Sequence, residues 1–445
     1  MTAKKIIKDL GNGLILRHAT GEDVDDLVTF NAKIHSEAGP NKPDEKVGAW
    51  VRDLITKPHP TTSINDFTVV EDTASGQIVS SMNVIPQTWN YAGIEFGVGR
   101  PELVGTDPEY RKRGLVRAQF KVIHQWCAER DLKVQAITGI PYYYRQFGYE
   151  MGLALDGGRV GYLPHIPKLK KDTEEPYKIR AAREEDAPFI NELYHKNNKR
   201  YLVSSQIGDD LWHYELVEKG ENNITRFELR VIETSAGEKV GFLAHPPFLW
   251  GPTLTVVMYE IVTGVSWLDV TPSVLRYLKV EGKSYAEKEK DQELEAFAMW
   301  MGTEHPVYEA IIDRLPRKRD PYAYYVRVAD LPGFIRHISP VLEERLENSV
   351  VVGHTGELKL SFFRSGLKLI FEKGILKDVE AYAPEHSNDG DVLFPDLTFL
   401  RVLFGYNDFW EVEKMFADCY ARNDHGRALM PILFPQMASN VRGVS

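Results

Sequence analysis

The chain has 445 residues, 43% of them hydrophobic and 27% charged, with a formal net charge of −10: too long for one typical core, so two to four domains are expected. That is the composition of a soluble globular protein, and its acidic balance argues against one that binds nucleic acid through a dominant basic surface. Cys127 and Cys419 are the only cysteines, which excludes a disulfide framework and supplies no metal-ligand spacing, while the opening MTAKKIIKDLGNG lacks an apolar signal region and no apolar run is long enough to span a bilayer, so a reducing cytoplasm is expected.

Near the start, Leu16-Arg17-His-Ala19-Thr-Gly-Glu22-Asp23 reads as a strand entering a helix with an acidic first turn, and an amphipathic helix follows. His35 and His59 lie between that helix and the next strand and read as solvated loop residues. Strands are expected at 67–71, 77–85, 89–98 and 102–106.

The run Val104-Gly-Thr-Asp-Pro-Glu-Tyr-Arg111-Lys-Arg-Gly114-Leu-Val-Arg117 comes next, a short apolar strand entering an Arg-rich turn that opens into a helix. Leu115, Ala118, Val122, Ile123 and Trp126 recur at helical spacing, and Cys127 reads as core, whereas Arg117, Lys121, Gln125 and Glu129 fall mainly on the other side. Unpaired N–H groups and the positive end of the helix dipole favour an anion at such a start. Gly114 lets a ligand lie against the backbone, and Arg111, Lys112, Arg113 and Arg117 supply charge for a diphosphate. The segment also reads as a solvated basic helix start, although cations there oppose the dipole unless an anion is bound.

A strand at 132–138 leads to Gly139-Ile-Pro-Tyr-Tyr-Tyr144-Arg-Gln-Phe-Gly148-Tyr149, in which Pro141 opens and Gly148 closes a short helix that fixes Tyr144 one turn before its stop. The proline-rich, charged stretch 163–176 reads as an exposed linker. Beyond it, Ile179-Arg180-Ala-Ala182-Arg-Glu-Glu185-Asp186 repeats the opening motif at a constant offset, with strands expected at 227–233, 239–243 and 253–263. Asp269-Val-Thr-Pro-Ser-Val-Leu stands where the basic glycine turn would follow, so this second copy has no evident diphosphate site. After Asp330 the pattern becomes a helix at 338–346, strands at 350–352, 358–364 and 367–372, and an apolar helix at 397–405.

Arg-x-x-Gly-Leu after a strand, followed by a Tyr four residues before a Gly-aromatic pair, resembles the acyl-CoA site of the GNAT superfamily of N-acetyltransferases. Within it, Arg111-Lys-Arg-Gly-Leu-Val-Arg117 plus Tyr144-Arg-Gln-Phe-Gly-Tyr149 is similar to the Eis (enhanced intracellular survival) subfamily of multi-domain enzymes. The resemblance implies an α/β (α+β) fold: a GNAT domain at 1–162, a linker at 163–176, a degenerate GNAT-like domain at 177–330 and a sterol-carrier-protein-like domain at 331–445. It also implies acetyl-CoA as co-substrate, no metal, a primary-amine acceptor of the aminoglycoside-like, polyamine or lysine class, and a homo-oligomer.

On that resemblance the diphosphate lies on Arg111, Lys112, Arg113, Gly114, Leu115, Val116 and Arg117. The pantetheine arm runs along Val104, Gly105 and Thr106, whose amides act as a partner strand, and Gly139 and Ile140 complete the site. Tyr144 matches the family's general acid, since a phenol with pKa about 10 is protonated at pH 7; it reads equally as a packing tyrosine. Two groups compete as base. In the subfamily the terminal carboxylate reaches the site from an aromatic last residue, where this chain has Ser445; Glu102, which strand alternation puts on the face of Val104 and Thr106, reads either as a catalytic carboxylate or as a salt-bridge partner. A non-catalytic acyl-CoA- or lipid-binding regulator that keeps the fold is the alternative function.

Overall fold

The computed structural model describes residues 5–288 and 292–442. Strands β1 (Ile6–Gly11) and β2 (Leu14–His18) form a hairpin, and helices α1 (Val24–Ile34) and α2 (Glu45–Thr56) follow. The second helix starts on Asp44, whose carboxylate accepts from the amides of Lys46 and Val47. Strands β3 (Phe67–Asp72), β4 (Gln77–Tyr91) and β5 (Ile94–Thr106) extend the sheet; α3 (Leu115–Glu129) then crosses to β6 (Val134–Ile137), followed by β7 (Glu150–Leu155) and β8 (Gly158–Tyr162). The strand expected at 89–98 is thus the end of β4, a turn and the start of β5, and β5 runs unbroken through 102–106. Ala92 and Gly93 turn the chain with φ of 47° and 95°, the left-handed pair that a two-residue hairpin needs. An alanine in the first of those places conceals the turn from a reading of sequence.

The second copy of the motif begins with β9 (Tyr177–Ala181) and α4 (Ala187–Asn198), then β10 (Val203–Gln206), α5 (Asp209–His213), β11 (Glu228–Thr234) and β12 (Lys239–His245). The strand expected at 253–263 is two strands in different sheets, β13 (Thr253–Val256) and β14 (Met258–Ile261). After them come α6 (Trp267–Lys288), β15 (Ala296–Met299), α7 (Pro306–Ala310), β16 (Arg317–Arg319) and β17 (Tyr322–Val328). Two four-stranded sheets result, ordered β14-β12-β11-β9 and β13-β15-β8-β16.

The first two domains exchange strands. β8 pairs with β15 and β16 in the second domain, and β17 returns to lie between β6 and β7. The first sheet thereby runs β1-β2-β3-β4-β5-β6-β17-β7, with β10 added along the far end of β4.

The internal repeat recurs as a matched set of ion pairs. Arg17 holds Asp23 with two nitrogens (2.7 and 2.8 Å) and Glu71 with Nε (2.6 Å), and donates to the His18 carbonyl. Arg180 does the same with Asp186 (2.6 and 3.0 Å), Glu233 (2.8 Å) and the Ala181 carbonyl. In each copy one arginine ties a strand to the start of the following helix and to the neighbouring strand.

The third domain comprises α8 (Leu331–His337), α9 (Ser339–Glu347), β18 (Gly356–Ser361), β19 (Gly366–Glu372), β20 (Ile375–Tyr382), β21 (Val392–Leu393), α10 (Phe399–Leu403), α11 (Phe409–Met415), β22 (Tyr420–Ala421) and α12 (Asp424–Leu433), with its sheet ordered β20-β19-β18-β21-β22. Residues 350–352 form a turn rather than the expected strand, and Val350 and Val352 are exposed. One continuous core joins this domain to the first: Trp89, Phe96, Val98 and Tyr324 pack with Phe334, Leu400 and Phe404. The Tyr91 hydroxyl donates to the Leu403 carbonyl at 2.8 Å. One face of the nine-stranded sheet is thus covered by α1 and α2 at one end and by the third domain at the other. Among the described residues no helix is long and apolar enough to cross a membrane.

Arg17 is only 1% exposed, so Arg17→Ala strands two buried carboxylates and is expected to destabilise the first domain by about 3 to 5 kcal/mol. Arg180 keeps 26% of its side chain exposed, so Arg180→Ala is expected to cost the second domain less. Hydrogen exchange resolved by peptide, with denaturant, checks both.

Candidate active site

The site originates in a divergence of two parallel strands. β5 and β6 are in register only at Val98 with Val134 and Gly99 with Gln135. Beyond Gly99, β5 continues along β4 alone. There it carries a bulge: Ser81 pairs with Gly105 but Asn83 with Glu102, so one extra residue is accommodated, and Leu103 has φ 52°. A cleft of about 620 Å³ opens here, walled by residues 104–106 on one side, Ile140 and Tyr144 on the other, and the start of α3 at one end.

The α3 start is built for a bound anion. Gly114, at φ 77°, is the cap residue, and neither a capping side chain nor an acidic first turn satisfies the helix N-terminus. A Cβ on Gly114 would meet nothing within 4 Å, so the space above its backbone is open. Lys112 also has positive φ (62°) and lines the cleft. The Arg111 Nε donates to the Thr106 carbonyl at 3.3 Å, and Arg117 is held by Gln146 at 2.7 Å while stacking over Phe147.

Of the sequence-predicted cofactor residues, Val104, Gly105, Thr106, Arg111, Lys112, Gly114, Leu115, Val116, Arg117 and Ile140 come together on this cleft. Arg113 does not: it donates to the Glu109 carbonyl at 3.1 Å and lies over the Tyr110 ring. Gly139 adjoins the wall, its carbonyl accepting from the Tyr322 hydroxyl at 2.6 Å. Ile34, His35, Tyr110, Tyr143, Gln146 and Phe147 also line the cleft and were not foreseen as ligands. Gln146 and Phe147 share the short helix of Tyr144, a signal available in the sequence; His35 read as a solvated loop residue, in a stretch that the resemblance places along the acceptor pocket.

Tyr144 sits in the short helix Tyr143–Phe147, which Gly148 closes at φ 87°. It is 5% exposed and packs against Tyr325, Phe120 and Tyr149 with ring separations of 5.6, 6.0 and 6.3 Å. Burial, and next the charge of Glu102, holds its hydroxyl pKa well above the ordinary value, so the phenol is a proton-bearing donor at neutral pH. β17 steadies this wall, because the Tyr142 amide donates to the Tyr325 hydroxyl.

The bulge corrects the placement of Glu102. Cross-strand partners share a face, so Glu102 and Gly105, opposite Asn83 and Ser81, look toward α1, away from the face of Val104 and Thr106. Glu102 is paired with the buried Arg100. The side-chain amide of Asn83 and two nitrogens of Arg100 are buried beside it without hydrogen-bond partners among the described residues. Ser445 lies outside the described residues. The described chain ends at Arg442, anchored at 3.0 Å to both Asp156 and the Trp300 carbonyl. Among the described residues no group of three or more His, Cys, Asp or Glu is placed to hold a metal ion.

Comparison with known proteins agrees with this geometry. Residues 16–152 match the acetyltransferase (GNAT) domain. Three solved structures share the fold over nearly the full length: a conserved protein of unknown function from Enterococcus faecalis V583, described as a probable N-acyltransferase (13% identity, 97% of this chain and 99% of that one, TM-score 0.66); a GCN5-related N-acetyltransferase from Kribbella flavida (16%, 96% and 97%, 0.62); and Eis1 from Mycobacterium abscessus (11%, 97% and 99%, 0.56). Among curated proteins none matches in sequence. Residues 16–152 are thus similar to a GNAT acetyltransferase domain, a class that generally uses acetyl-CoA.

Gly105 tests the fit of α1 to the bulged strand. A Cβ there would stand 2.9 Å from Ile34 Cγ2 and 3.2 Å from the Phe30 ring, so Gly105→Ala is expected to displace the end of α1 and destabilise by about 1 to 3 kcal/mol, read as a lowered thermal midpoint.

Proposed function

We propose that the first domain transfers an acetyl group from acetyl-CoA to a primary amine. The observation that carries this reading is one cleft with an uncapped, cation-flanked helix N-terminus at one end and the buried, protonated Tyr144 on its wall. The amides of residues 112–116 with Arg111, Lys112 and Arg117 fit the diphosphate, and the backbone of Val104 to Thr106, which β6 leaves unpaired, fits the amide-bearing arm as a partner strand.

When bound, the thioester supplies an activated acyl carbon and a thiolate leaving group. The chain's own task is to align an amine with that carbon and to manage protons. Tyr144 is the donor to the departing sulfur, and its raised pKa keeps the proton in place until the sulfur becomes basic. Glu102, its charge matched by Arg100, remains a candidate for the base that takes the amine's proton. The Ser445 carboxylate, three residues beyond the anchored Arg442, is a further candidate for that part.

The acceptor falls in the aminoglycoside-like, polyamine or lysine class. The second domain plays a structural or substrate-shaping part, since the Gly264 turn before α6 carries no basic residue and Asp269 stands in the helix's first turn, where an anion would be repelled. The helix pair, mixed sheet and late helices of the third domain support a sterol-carrier-protein-like reading.

Release of CoA from acetyl-CoA in the presence of kanamycin, spermidine or Nα-acetyl-lysine tests the reading. Tyr144→Phe is expected to keep the acetyl-CoA affinity and lower turnover by about 10²- to 10⁴-fold. Gly114→Val is expected to abolish acetyl-CoA binding by calorimetry, since it fills the open space above the turn and strains a left-handed backbone. Because the Tyr144 pKa lies above 10, the acid stays protonated and turnover is expected to show no Tyr144-dependent fall up to that pH. Unchanged turnover in Tyr144→Phe would make it a packing residue.

A further inference from the structure

Gln119 is a polar residue where the packing of α3 calls for an apolar one. It lies on the buried side of the helix with Leu115, Phe120, Ile123 and Cys127. Burying an amide costs free energy unless its hydrogen bonds are replaced, and here they are. Gln119 Nε2 donates to Thr68 of β3, at 3.3 Å to the carbonyl and 3.2 Å to the hydroxyl oxygen. Its Oε1 accepts from the Ser80 hydroxyl of β4 at 2.8 Å.

Ser80 carries the link on to the cleft. Its Oγ stands 2.7 Å from the Gly105 carbonyl and 2.8 Å from Thr106 Oγ1. A hydroxyl has one proton, which the Gly105 carbonyl and Gln119 Oε1 share, so the Thr106 hydroxyl is the donor in its contact with Ser80. Thr68, Ser80 and Gln119 are each 0% exposed, and the Thr68 hydroxyl donates in turn to the Met82 carbonyl at 3.0 Å. One buried network thus ties α3, a turn and a half past the Gly114 cap, to two strand-edge residues that wall the cleft. Apolar neighbours in the same layer, Met82, Val84 and Phe120, resist separation of helix and sheet. They do not fix direction, because apolar contact is non-directional, whereas a satisfied polar network fits one arrangement.

We propose that Gln119 is a positioning residue for acetyl-CoA, an assignment that rests on the acetyl-CoA reading of the cleft. A diphosphate on the α3 amides and an arm on Val104 to Thr106 belong to one ligand of fixed covalent length. Both ends bind together only while the helix start and the strand edge keep the spacing that the ligand spans; otherwise the second contact gains nothing from the first. Gln119 acts on that spacing through Ser80, and is not itself among the residues lining the cleft.

The test uses the full-length protein and three probes: acetyl-CoA by calorimetry and, by ligand-observed NMR, ADP, which has the diphosphate without the arm, and S-acetylpantetheine, which has the arm without the diphosphate. Should the parent not bind acetyl-CoA, the reading of the cleft fails before Gln119 is examined. Gln119→Met keeps the volume and leaves the Ser80 hydroxyl with Gly105 and the Thr68 hydroxyl with Met82, so it is expected to fold like the parent. It is expected to weaken acetyl-CoA by about 10- to 10²-fold while each fragment stays within about threefold of the parent. Ser80→Ala cuts the same link from the other side and is expected to give the same pattern, with the double variant within about twofold of the weaker single one. An unchanged acetyl-CoA affinity in either variant, a loss for one fragment as large as that for acetyl-CoA, or additive losses in the double variant overturns the assignment.

Discussion

The separation of β5 from β6 past Gly99 is the constraint on which the site depends. Up to that point glycines hold the layers close: a Cβ on Gly99 would collide with Cys127 of α3, and one on Gly97 would stand 3.0 Å from Leu132. Past it, the Leu103 bulge turns β5 away, and β6 ends at Ile137. Nothing on the β6 side then pairs the backbone of residues 104–106, and an unpaired strand edge facing a cleft is a template for an extended, amide-bearing ligand. The start of α3 stands at the end of the same opening, so strand edge and helix N-terminus offer their amides to one molecule.

The strand exchange makes this opening a property of more than one domain. β17 arrives from beyond the second domain and supplies the Tyr325 hydroxyl to the Tyr142 amide and the Tyr322 hydroxyl to the Gly139 carbonyl. The loop that carries Tyr144 is thus held by residues about 180 positions later in the chain. The third domain packs on the opposite face of the same sheet through Phe334, Leu400 and Phe404. A loosened interface between domains would reach the proton donor through β17, without any change in the cleft's own residues.

The two copies of the opening motif show which features serve the fold and which serve the chemistry. Arg17 and Arg180 have the same three kinds of partner, and each satisfies a helix start and a strand pair at once. In the first copy losing the cation would strand buried carboxylates; in the second, Lys239 also pairs with Asp186 at 2.5 Å. The basic glycine turn persists only in the first. In the second, a long helix with Asp269 in its first turn replaces it.

What was legible in the sequence is what local chemistry decides. Gly114 at a helix start, Gly148 at a helix end and the paired Arg17 and Arg180 motifs each announce a backbone conformation or an ion pair that forms within a few residues or between predictable strands. The exchange of β8 and β17 was not legible, because an apolar strand buries the same side chains in either sheet and nothing in its alternation names its neighbour. The bulge was not legible either. Leu103 carries no glycine or asparagine signal for its positive φ, yet that one residue turns Glu102 onto the α1 face. Alternation alone assigns Glu102 to the wrong face. The cause is general: a single residue that breaks the period of two reverses the face assignment of the residues before it, and in this chain it sits at the point where strand, helix and cleft meet.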